Sequence, residues 1–179
     1  DKFHINKYLR TNKLRDVTDK YCVLGVFGPK SRDIMSTLSK TNFSNENFKF
    51  ATGKEIIINS IKIWAQRISY VGELGYELYI NVNDAKQIYE TIISVGKSFK
   101  ISNCGAHAMD IMRMESGFLH WGHDISPEEN QYQAGLGFTI NYKKNVKFIG
   151  KEALLKIKEK EINKRLLMFT LENSKPGEP

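Results

Sequence analysis

The feature that most constrains the fold is a seven-residue apolar run, residues 21–27 (YCVLGVF), which ends at a Gly–Pro pair. A run of this length and composition is typical of a buried β-strand. Gly28–Pro29 ends the strand, and proline at a first helical position favours the start of a helix. Apolar residues then recur at helical spacing from Ile34 to about Ser39. The segment is therefore predicted to fold as a strand, a tight turn and a helix.

A β-hairpin is predicted to follow. Residues 55–58 and 61–64 are strand-like runs, and the Asn59–Ser60 pair between them is a turn signal. A further strand is predicted over residues 67–80, with an interruption at residues 72–75, which begin and end with glycine. These segments would supply the strands of one antiparallel or mixed sheet.

The helices and the remaining strands are predicted from periodicity and from start and stop signals. Asp84 and Gln87 have the spacing of a capping box, and apolar residues recur on one helix face after them. The further predicted elements are a helix or arm within residues 1–20, a helix over residues 85–99, a helix from Gly105 to Gly117, a strand over residues 138–140, a helix over residues 151–160 and a strand over residues 166–171. This order predicts an α+β fold, with helices on one face of the sheet.

Composition and charge limit the class of protein. The 179-residue chain is 41% hydrophobic and 26% charged, which is typical of a globular protein and not of a disordered one. No apolar run approaches the roughly 20 residues that span a membrane. The net charge of +7 favours anionic partners such as nucleic acid or a polyanionic cofactor tail. Because Lys and Arg never form a block of about five or six residues, lysines on solvated faces are the simpler explanation.

The chain is expected to be a piece of a longer protein. It begins at Asp1 without an initiator methionine or a signal-peptide core, and it ends at Pro179 in turn-forming residues just after an apolar run. Its two cysteines, Cys22 and Cys104, are far apart and lack partners at metal-ligand spacing. This cysteine usage argues against a disulfide framework or a zinc site and fits a reducing cytosol.

Three short motifs are rejected as sites. Residues 96–98 (GKS) resemble a phosphate loop, but Thr91 stands where that loop needs a glycine. Residues 25–28 (GVFG) lack the core of a dinucleotide-binding turn, so no flavin or nicotinamide site is predicted within this chain. His120 and His123 are the best metal candidates, yet third and fourth ligands are missing. A structural or solvated role is the better interpretation, and no metal site is predicted.

The most informative stretch is residues 67–79 (RISYVGELGYELY). A carboxylate such as that of Glu77, on a strand beside glycines that permit close approach, can accept two parallel hydrogen bonds. A ring edge that carries an N–H beside an amino group presents that pair of donors, and Tyr70 can lie flat against such a ring or bond to its edge. Periodicity alone favours the simpler alternative, in which Glu77 and Tyr79 are outward-facing strand residues and Tyr70 belongs to the core.

Four blocks of sequence carry a family resemblance. They are residues 23–32 (VLGVFGPKSR), residues 69–78 (SYVGELGYEL), residues 105–117 followed by 120–125 (HWGHDI), and residues 133–138 (QAGLGF) with residues 148–154 (FIGKEAL). In this order they resemble the aminomethyltransferase family, which comprises the T-protein of the glycine cleavage system and the folate domains of dimethylglycine and sarcosine dehydrogenases. The resemblance covers most of the chain, from about residue 21 to residue 171. A single block is weakly specific, whereas four blocks in the family's order are specific.

The second block indicates the branch of the family. T-proteins usually read YTGEDG there, whereas residues 70–77 read YVGELGYE, which looks like the dehydrogenase branch. The His120–Trp121 pair points the same way. The folate-binding iron–sulfur assembly proteins carry a KGCY signature near the fourth block. Residues 130–134 read NQYQA there, without a cysteine, so that branch is set aside.

The resemblance implies a tetrahydrofolate site and names its residues. Glu77 stands where the family's pterin-binding carboxylate stands, and Tyr70 matches a folate-contacting aromatic residue. Arg113 matches the arginine of the third block, whose charge suits an anionic glutamate tail or a substrate carboxylate. The family's activating aspartate lies upstream of the first block, and Asp16 and Asp19 have the wrong spacing to replace it. No catalytic residue is therefore predicted in this chain.

The resemblance also implies the fold and the domain division. The expected fold is the family's ferredoxin-like core, an antiparallel or mixed sheet with helices on one face, as a fragment of the aminomethyltransferase folate-binding fold. Residues 1–160 would form the central folate-binding domain without its N-terminal part. Residues 161–179 would begin a truncated C-terminal barrel.

The function that the resemblance implies is one-carbon transfer. In the parent protein, a separate FAD-binding domain of the same polypeptide would oxidise an N-methyl amine, and the folate domain would capture the one-carbon unit as methylene-tetrahydrofolate. The isolated chain is expected to be inactive. Two alternatives stay open: a glycine cleavage T-protein, acting on a lipoyl-bound aminomethyl group, and a non-catalytic scaffold domain of the same fold. No nucleic-acid or membrane partner is expected, and the expected localisation is cytoplasmic, or the mitochondrial matrix in a eukaryote.

Overall fold

The computed structural model describes residues 1–170 and residue 172. They fall into two compact units, Asp1–Ser116 and a second unit that begins at Gly117. The predicted domain boundary between residues 160 and 161 is not tested by this division and stays a prediction.

The first unit is an antiparallel sheet with two helices packed against one of its faces. Its elements, in chain order, are α1 (Lys2–Tyr8), β1 (Tyr21–Phe27), α2 (Ser31–Leu38), β2 (Gly53–Ile58), β3 (Ile61–Gln66), β4 (Gly75–Asn81), α3 (Ala85–Gly96) and α4 (Ala106–Glu115), with 3-10 turns at Thr18–Lys20 and Lys97–Phe99. The strands are ordered β1–β4–β3–β2, and each neighbouring pair is antiparallel. This arrangement confirms the predicted α+β class.

Alternation along the strands decides which face of the sheet is buried. On β4, Tyr76, Leu78 and Ile80 are fully buried, whereas Glu77 and Tyr79 alternate with them on the opposite face. Side chains from the other strands, from α2 and α3 and from the connection after α2 complete the core: Val26, Ile34, Met35, Phe43, Phe48, Ile56, Ile58, Ile63, Ala65, Ile88 and Ile92. We call the opposite face of the sheet, which carries Glu77, the second face.

The predicted strand, turn and helix at residues 21–39 are confirmed by β1 and α2. The hairpin is confirmed as well, because β2 and β3 flank Asn59 and Ser60, whose φ angles are 48° and 65°. Two positive φ angles are what a two-residue type I′ turn requires, and asparagine adopts them more readily than most residues.

Two predicted local features differ in the structure. Strand β4 begins at Gly75, so residues 67–74 form a connection and not the start of a strand. Asp84 does occupy the N-cap position of α3, but its side chain makes no capping hydrogen bond. Its backbone angles, φ −99° and ψ −7°, are close to helical, whereas an N-cap side chain reaches back to the helix from an extended residue.

The second unit has less regular structure than its sequence predicted. It contains α5 (Lys151–Lys158), which confirms the predicted helix, and a 3-10 turn at Gly137–Thr139. The strand predicted over residues 138–140 is wrong, because Phe138 lies in that turn and is 85% exposed. Residues 166–170 form no strand, although the Leu166 N–H donates to the Gln133 carbonyl at 2.9 Å. Leu171, the last residue of that predicted strand, lies outside the described residues.

An ion pair links two segments of the second unit. The Lys164 ammonium donates to a Glu129 carboxylate oxygen at 2.7 Å, and the Ser126 hydroxyl and N–H donate to the other oxygen. Chiefly through the bond from Lys164, these contacts lower the pKa of Glu129 to about 2. Because the folded-state pKa is depressed, the contribution of the pair to stability is present above the ordinary pKa of a glutamate and is lost as the pH falls towards 2.

None of the helices among the described residues has the length and apolar composition needed to cross a membrane.

Replacing Tyr76 by phenylalanine should leave the free energy of unfolding unchanged or raise it by up to about 1 kcal/mol. The Tyr76 ring packs edge-on to Phe43 at 5.3 Å, but its buried hydroxyl has no hydrogen-bond partner among the described residues. The matched control is Tyr79→Phe, which removes a bonded hydroxyl and should cost stability. Urea unfolding of both variants measures the difference, and a loss of more than about 1 kcal/mol in Tyr76→Phe would contradict the expectation.

Candidate functional site

Glu77 lies near the middle of the second face. Strand register places it opposite Gly25 of β1 on one side and opposite Gln66 of β3 on the other, and Gln66 in turn lies opposite Gly53 of β2. The four residues form one row across the sheet, Gly53–Gln66–Glu77–Gly25, which we call the Glu77 row. Two polar side chains therefore stand at its centre, and a glycine without a side chain stands at each end.

Aromatic rings lie over both glycines of the Glu77 row. A Cβ atom added to Gly53 would stand 2.7 Å from the Trp64 indole, and one added to Gly25 would stand 2.5 Å from the Phe27 ring. The Phe27 ring also covers Gly75, where the corresponding distance is 2.3 Å. The glycines are thus required by the close approach of the two rings, and a side chain at any of these positions would displace a ring.

The Glu77 carboxylate has one partner on its own strand. The Tyr79 hydroxyl donates to Glu77 Oε2 at 3.1 Å, and both side chains are half-buried. Burial first, and then this bond to a carboxylate, raise the pKa of the Tyr79 phenol above its ordinary value. Tyr79 therefore stays protonated over the physiological pH range and holds the carboxylate as a hydrogen-bond donor.

Tyr70 lies in the connection between β3 and β4, which is fixed to the end of α4. The Ser116 hydroxyl donates to the Val71 carbonyl at 3.0 Å, and the Val71 side chain is buried. Gly72 has a φ of 75°, and a Cβ atom there would stand 2.1 Å from Ser116 Oγ. The residues that follow Tyr70 thus pack tightly against the helix that carries Arg113.

Arg113 lies in the last turn of α4 and is 4% exposed. Its Nε donates to Asp110 Oδ1 at 2.7 Å, one turn earlier on the same helix. Burial of a guanidinium is tolerated when the charge is paired and hydrogen-bonded. The structure therefore brings the Tyr70 connection to the Arg113 helix, and it places Glu77 on the strand that this connection enters.

A cavity of about 340 Å³ lies in the first unit, and Gly25 and Phe27 are among its lining residues. It is bounded by β1, α2, α3 and α4 and is lined mainly by apolar residues such as Ile34, Ile92 and Met112. None of Glu77, Tyr70 and Arg113 lines it. The cavity therefore includes the Gly25 end of the Glu77 row, although the three predicted site residues do not line it.

The His120–His123 pair belongs to the second unit and lies in an irregular segment. The two rings are tilted by 34° with centroids 4.3 Å apart, and the backbone N–H of His120 donates to the Asp124 carboxylate at 2.8 Å. Within the part of the chain that the structure describes, no three His, Cys, Asp or Glu residues are grouped as metal ligands.

The sequence-based reasoning missed Gln66, Trp64 and Phe27 as neighbours of Glu77. Each was visible as a strand residue, but which residues of four separate strands share a row depends on strand register. The signal that was available is the pairing of glycine with an aromatic residue two positions later, as in Gly25 and Phe27. That spacing places both on one face, where a ring can lean over the glycine.

Comparison with known proteins shows which family the sequence matches. The family model of the GCVT N-terminal domain matches residues 1–144. The chain is 38% identical over 159 residues to human mitochondrial dimethylglycine dehydrogenase, covering 89% of this chain and 18% of that protein. It is 34% identical over 167 residues to the aminomethyltransferase of Halothermothrix orenii, covering 93% of this chain and 45% of that protein.

A third relative has a different kind of name. The mitochondrial pyruvate dehydrogenase phosphatase regulatory subunit of Mus musculus is 33% identical over 175 residues, covering 94% of this chain and 20% of that protein. The chain thus spans about a fifth of two of these relatives and less than half of the third. Because the model of the GCVT N-terminal domain matches well over half of its residues, this chain belongs to the GCVT N-terminal domain family.

Proposed function

We propose that this chain is the tetrahydrofolate-binding region of a larger FAD-dependent enzyme of the sarcosine or dimethylglycine dehydrogenase kind. The observation that carries the proposal is the half-buried Glu77 carboxylate, which Tyr79 holds in place beside two glycines of the sheet. A fixed carboxylate flanked by an aromatic ring is a suitable acceptor for the paired N–H donors of a pterin ring.

The chemical types of the three predicted site residues suit a folate ligand. Glu77 would accept hydrogen bonds from the N–H groups of the pterin, and the aromatic ring of Tyr70 would contact the folate. The positive charge of Arg113 would attract the anionic glutamate tail or a substrate carboxylate. Each of these residues binds or orients, and none is required to transfer a proton. The group that activates the folate is expected outside this chain.

The proposed reaction is the capture of a one-carbon unit. Bound tetrahydrofolate would supply two nitrogens that both bond to the carbon, giving methylene-tetrahydrofolate with release of water when the unit is formaldehyde, or of the amine and a proton when it is an iminium. A separate FAD-binding domain of the same polypeptide would generate the unit from an N-methyl amine. Holding the acceptor close to that source lets a reactive iminium or formaldehyde meet it before bulk water does. The chain alone would bind folate without turning over an amine.

Two other functions have support in the relatives. The Halothermothrix relative is named an aminomethyltransferase, which favours the T-protein alternative. The mouse regulatory subunit favours the scaffold alternative, in which the fold is kept without the chemistry. An FAD-binding domain in the same polypeptide would exclude an ordinary T-protein. Loss of folate binding would favour the scaffold.

The cell compartment and the partners are part of the same proposal. We place the protein in the cytoplasm, or in the mitochondrial matrix if its source is eukaryotic, as the name of the human dimethylglycine dehydrogenase suggests. No nucleic-acid or membrane partner is proposed. Filter binding at physiological salt should detect no DNA or RNA complex despite the net charge of +7.

Replacing Glu77 by glutamine should weaken the binding of folinate by about 1–3 kcal/mol, because a charged hydrogen-bond acceptor is lost. Calorimetric titration of the wild-type chain and the variant measures the effect. Glu55→Gln is the matched control. Glu55 lies on β2 and, like Glu77, on the second face of the sheet, but it is exposed and paired with Lys62 at 3.0 Å. The control should bind folinate as the wild type does.

Three outcomes of this titration have different meanings. Equal binding by the wild type and Glu77→Gln would mean that another residue holds the pterin. Equal weakening by Glu55→Gln would mean that the effect is one of overall surface charge. A wild-type chain that does not bind folinate would overturn the proposed function and favour the scaffold alternative.

A further inference from the structure

The Glu77 row contains a second polar side chain to which neither the family resemblance nor the predicted site assigns a role. Gln66 lies directly opposite Glu77 on the neighbouring strand and is half-buried. Its side-chain amide makes no hydrogen bond with any described residue. Both neighbours of this amide in the row, Glu77 and Gly53, lie on the same face of the sheet. The amide therefore has no hydrogen-bonding role among the described residues of the first unit, and strand register places Gln66 opposite the residue that carries the acceptor carboxylate.

We propose that Gln66 is a specificity-determining residue that recognises the substituent next to the N–H pair bound by Glu77. This inference rests on the proposed function of Glu77 and extends it from one side chain to two. Neighbouring strands lie about 4.8 Å apart, so two side chains that face each other across them can contact adjacent positions on the edge of one six-membered ring.

The two side chains have complementary hydrogen-bonding capacity. A carboxylate only accepts, whereas a glutamine amide has two N–H donors and a carbonyl acceptor. With Glu77 accepting from the N–H pair of a pterin, the Gln66 N–H group can donate to the neighbouring ring carbonyl oxygen. This arrangement matches a ring edge whose order is amino group, N–H, carbonyl oxygen. It identifies the ligand class as 2-amino-4-oxo heterocycles.

The rest of the row suits a flat ring. Trp64 leans over Gly53 at one end, and Phe27 leans over Gly25 at the other. Trp64 is 47% exposed, so part of its indole face is open to a ligand. Aromatic walls on both sides of a polar centre favour a planar molecule, whose edge bonds to the centre while its faces contact the rings. Tyr79 contributes by fixing Glu77 and not by touching the ring.

The test compares folic acid with aminopterin, which carries an amino group where folic acid has the 4-oxo oxygen. In Gln66→Glu the new carboxylate can accept from that amino group but cannot donate to the oxygen. The ratio of folic acid affinity to aminopterin affinity should therefore fall at least about tenfold relative to the wild type. Gln87→Glu, an identical charge change at an exposed position of α3, should leave the ratio unchanged.

A second variant removes the amide without adding charge. Gln66→Met should weaken folinate binding about 3- to 10-fold. Because Gln66→Glu places two carboxylates face to face, its stability is expected to fall, but a ratio of two affinities is insensitive to the fraction of folded protein. Thermal unfolding in the absence of ligand records any loss of stability separately.

The outcomes separate this inference from the function on which it rests. If Glu77→Gln weakens folinate binding but neither Gln66 variant changes the ratio or the affinity, Glu77 holds the ligand alone and the inference is overturned. If the ratio falls equally in Gln87→Glu, the effect belongs to net charge and the inference is also overturned. If the wild-type chain binds none of the three ligands, the proposed function is overturned and this inference with it.

Discussion

Replacing Phe48 by alanine should lower the free energy of unfolding by about 3–5 kcal/mol, the range typical of a buried phenylalanine truncated to a methyl group. Phe48 is fully buried, and its ring packs 5.8 Å from Phe43 and 5.6 Å from Tyr76. The Lys54 ammonium lies 4.6 Å from its ring centroid. The truncation would open a cavity beneath β4, and urea unfolding measures the loss.

The connection between α2 and β2, which carries Phe48, also supplies a matched control. Phe50 is 73% exposed, so Phe50→Ala removes the same atoms without opening a cavity and should change stability by less than about 0.5 kcal/mol. Similar losses of stability in both variants would contradict the burial argument, because the loss would then not depend on whether the phenylalanine is buried.

Replacing Gly72 by alanine should destabilise the first unit by at least about 2 kcal/mol. The φ angle of 75° costs an L-residue about 1–2 kcal/mol. The added Cβ atom would also stand 2.1 Å from Ser116 Oγ and 2.5 Å from Ser116 Cβ, so the β3–β4 connection or the α4 end must shift. The same shift would move Tyr70 and should weaken folinate binding as well.

A double variant separates the two causes. In a Ser116→Gly background the clash is absent and only the backbone strain is left, so Gly72→Ala should cost at least about 1 kcal/mol less than in the wild type. Thermal or urea unfolding of the four proteins measures this coupling. Identical costs in the two backgrounds would show that the Val71–Gly72 segment does not pack against Ser116 as described.

Local signals were sufficient for most elements of the first unit. The turn at Asn59–Ser60 was predictable because its residue types and its two-residue length specify the geometry. The start of β4 was not, because residues 67–74 look strand-like but form an irregular connection, in which the Val71 carbonyl accepts a hydrogen bond from Ser116. That contact joins residues 45 positions apart and leaves no local trace in the sequence.

Short apolar runs were the weakest predictors. Residues 138–140 and 166–171 were interpreted as strands from composition alone, but a strand needs a partner. In the described part of the second unit the first run folds as a 3-10 turn, and residues 166–170 make one backbone bond to Gln133 instead of a ladder. Apolar composition without a pairing partner does not specify an extended conformation.

The candidate site was predictable in part. Alternation along β4 placed Glu77 away from the core, as the sequence indicated. The roles of Glu77, Tyr70 and Arg113 came from the family resemblance and stay proposals. The neighbours of Glu77 depend on the pairing of β4 with β1, and no sequence pattern specifies which residues of two such distant strands face each other.

That pairing has a consequence for synthesis of the protein. Among the described strands β1 pairs only with β4, and β4 begins roughly 50 residues after β1 ends. A ribosome adding about 5–20 residues per second therefore leaves β1 without this partner for roughly 3–10 s. β2, β3 and β4 are consecutive and can associate as soon as they emerge. The nascent chain therefore exposes the apolar, unpaired β1 for seconds. The Glu77 row is complete only when β1, the first of the strands to be synthesised, pairs with β4.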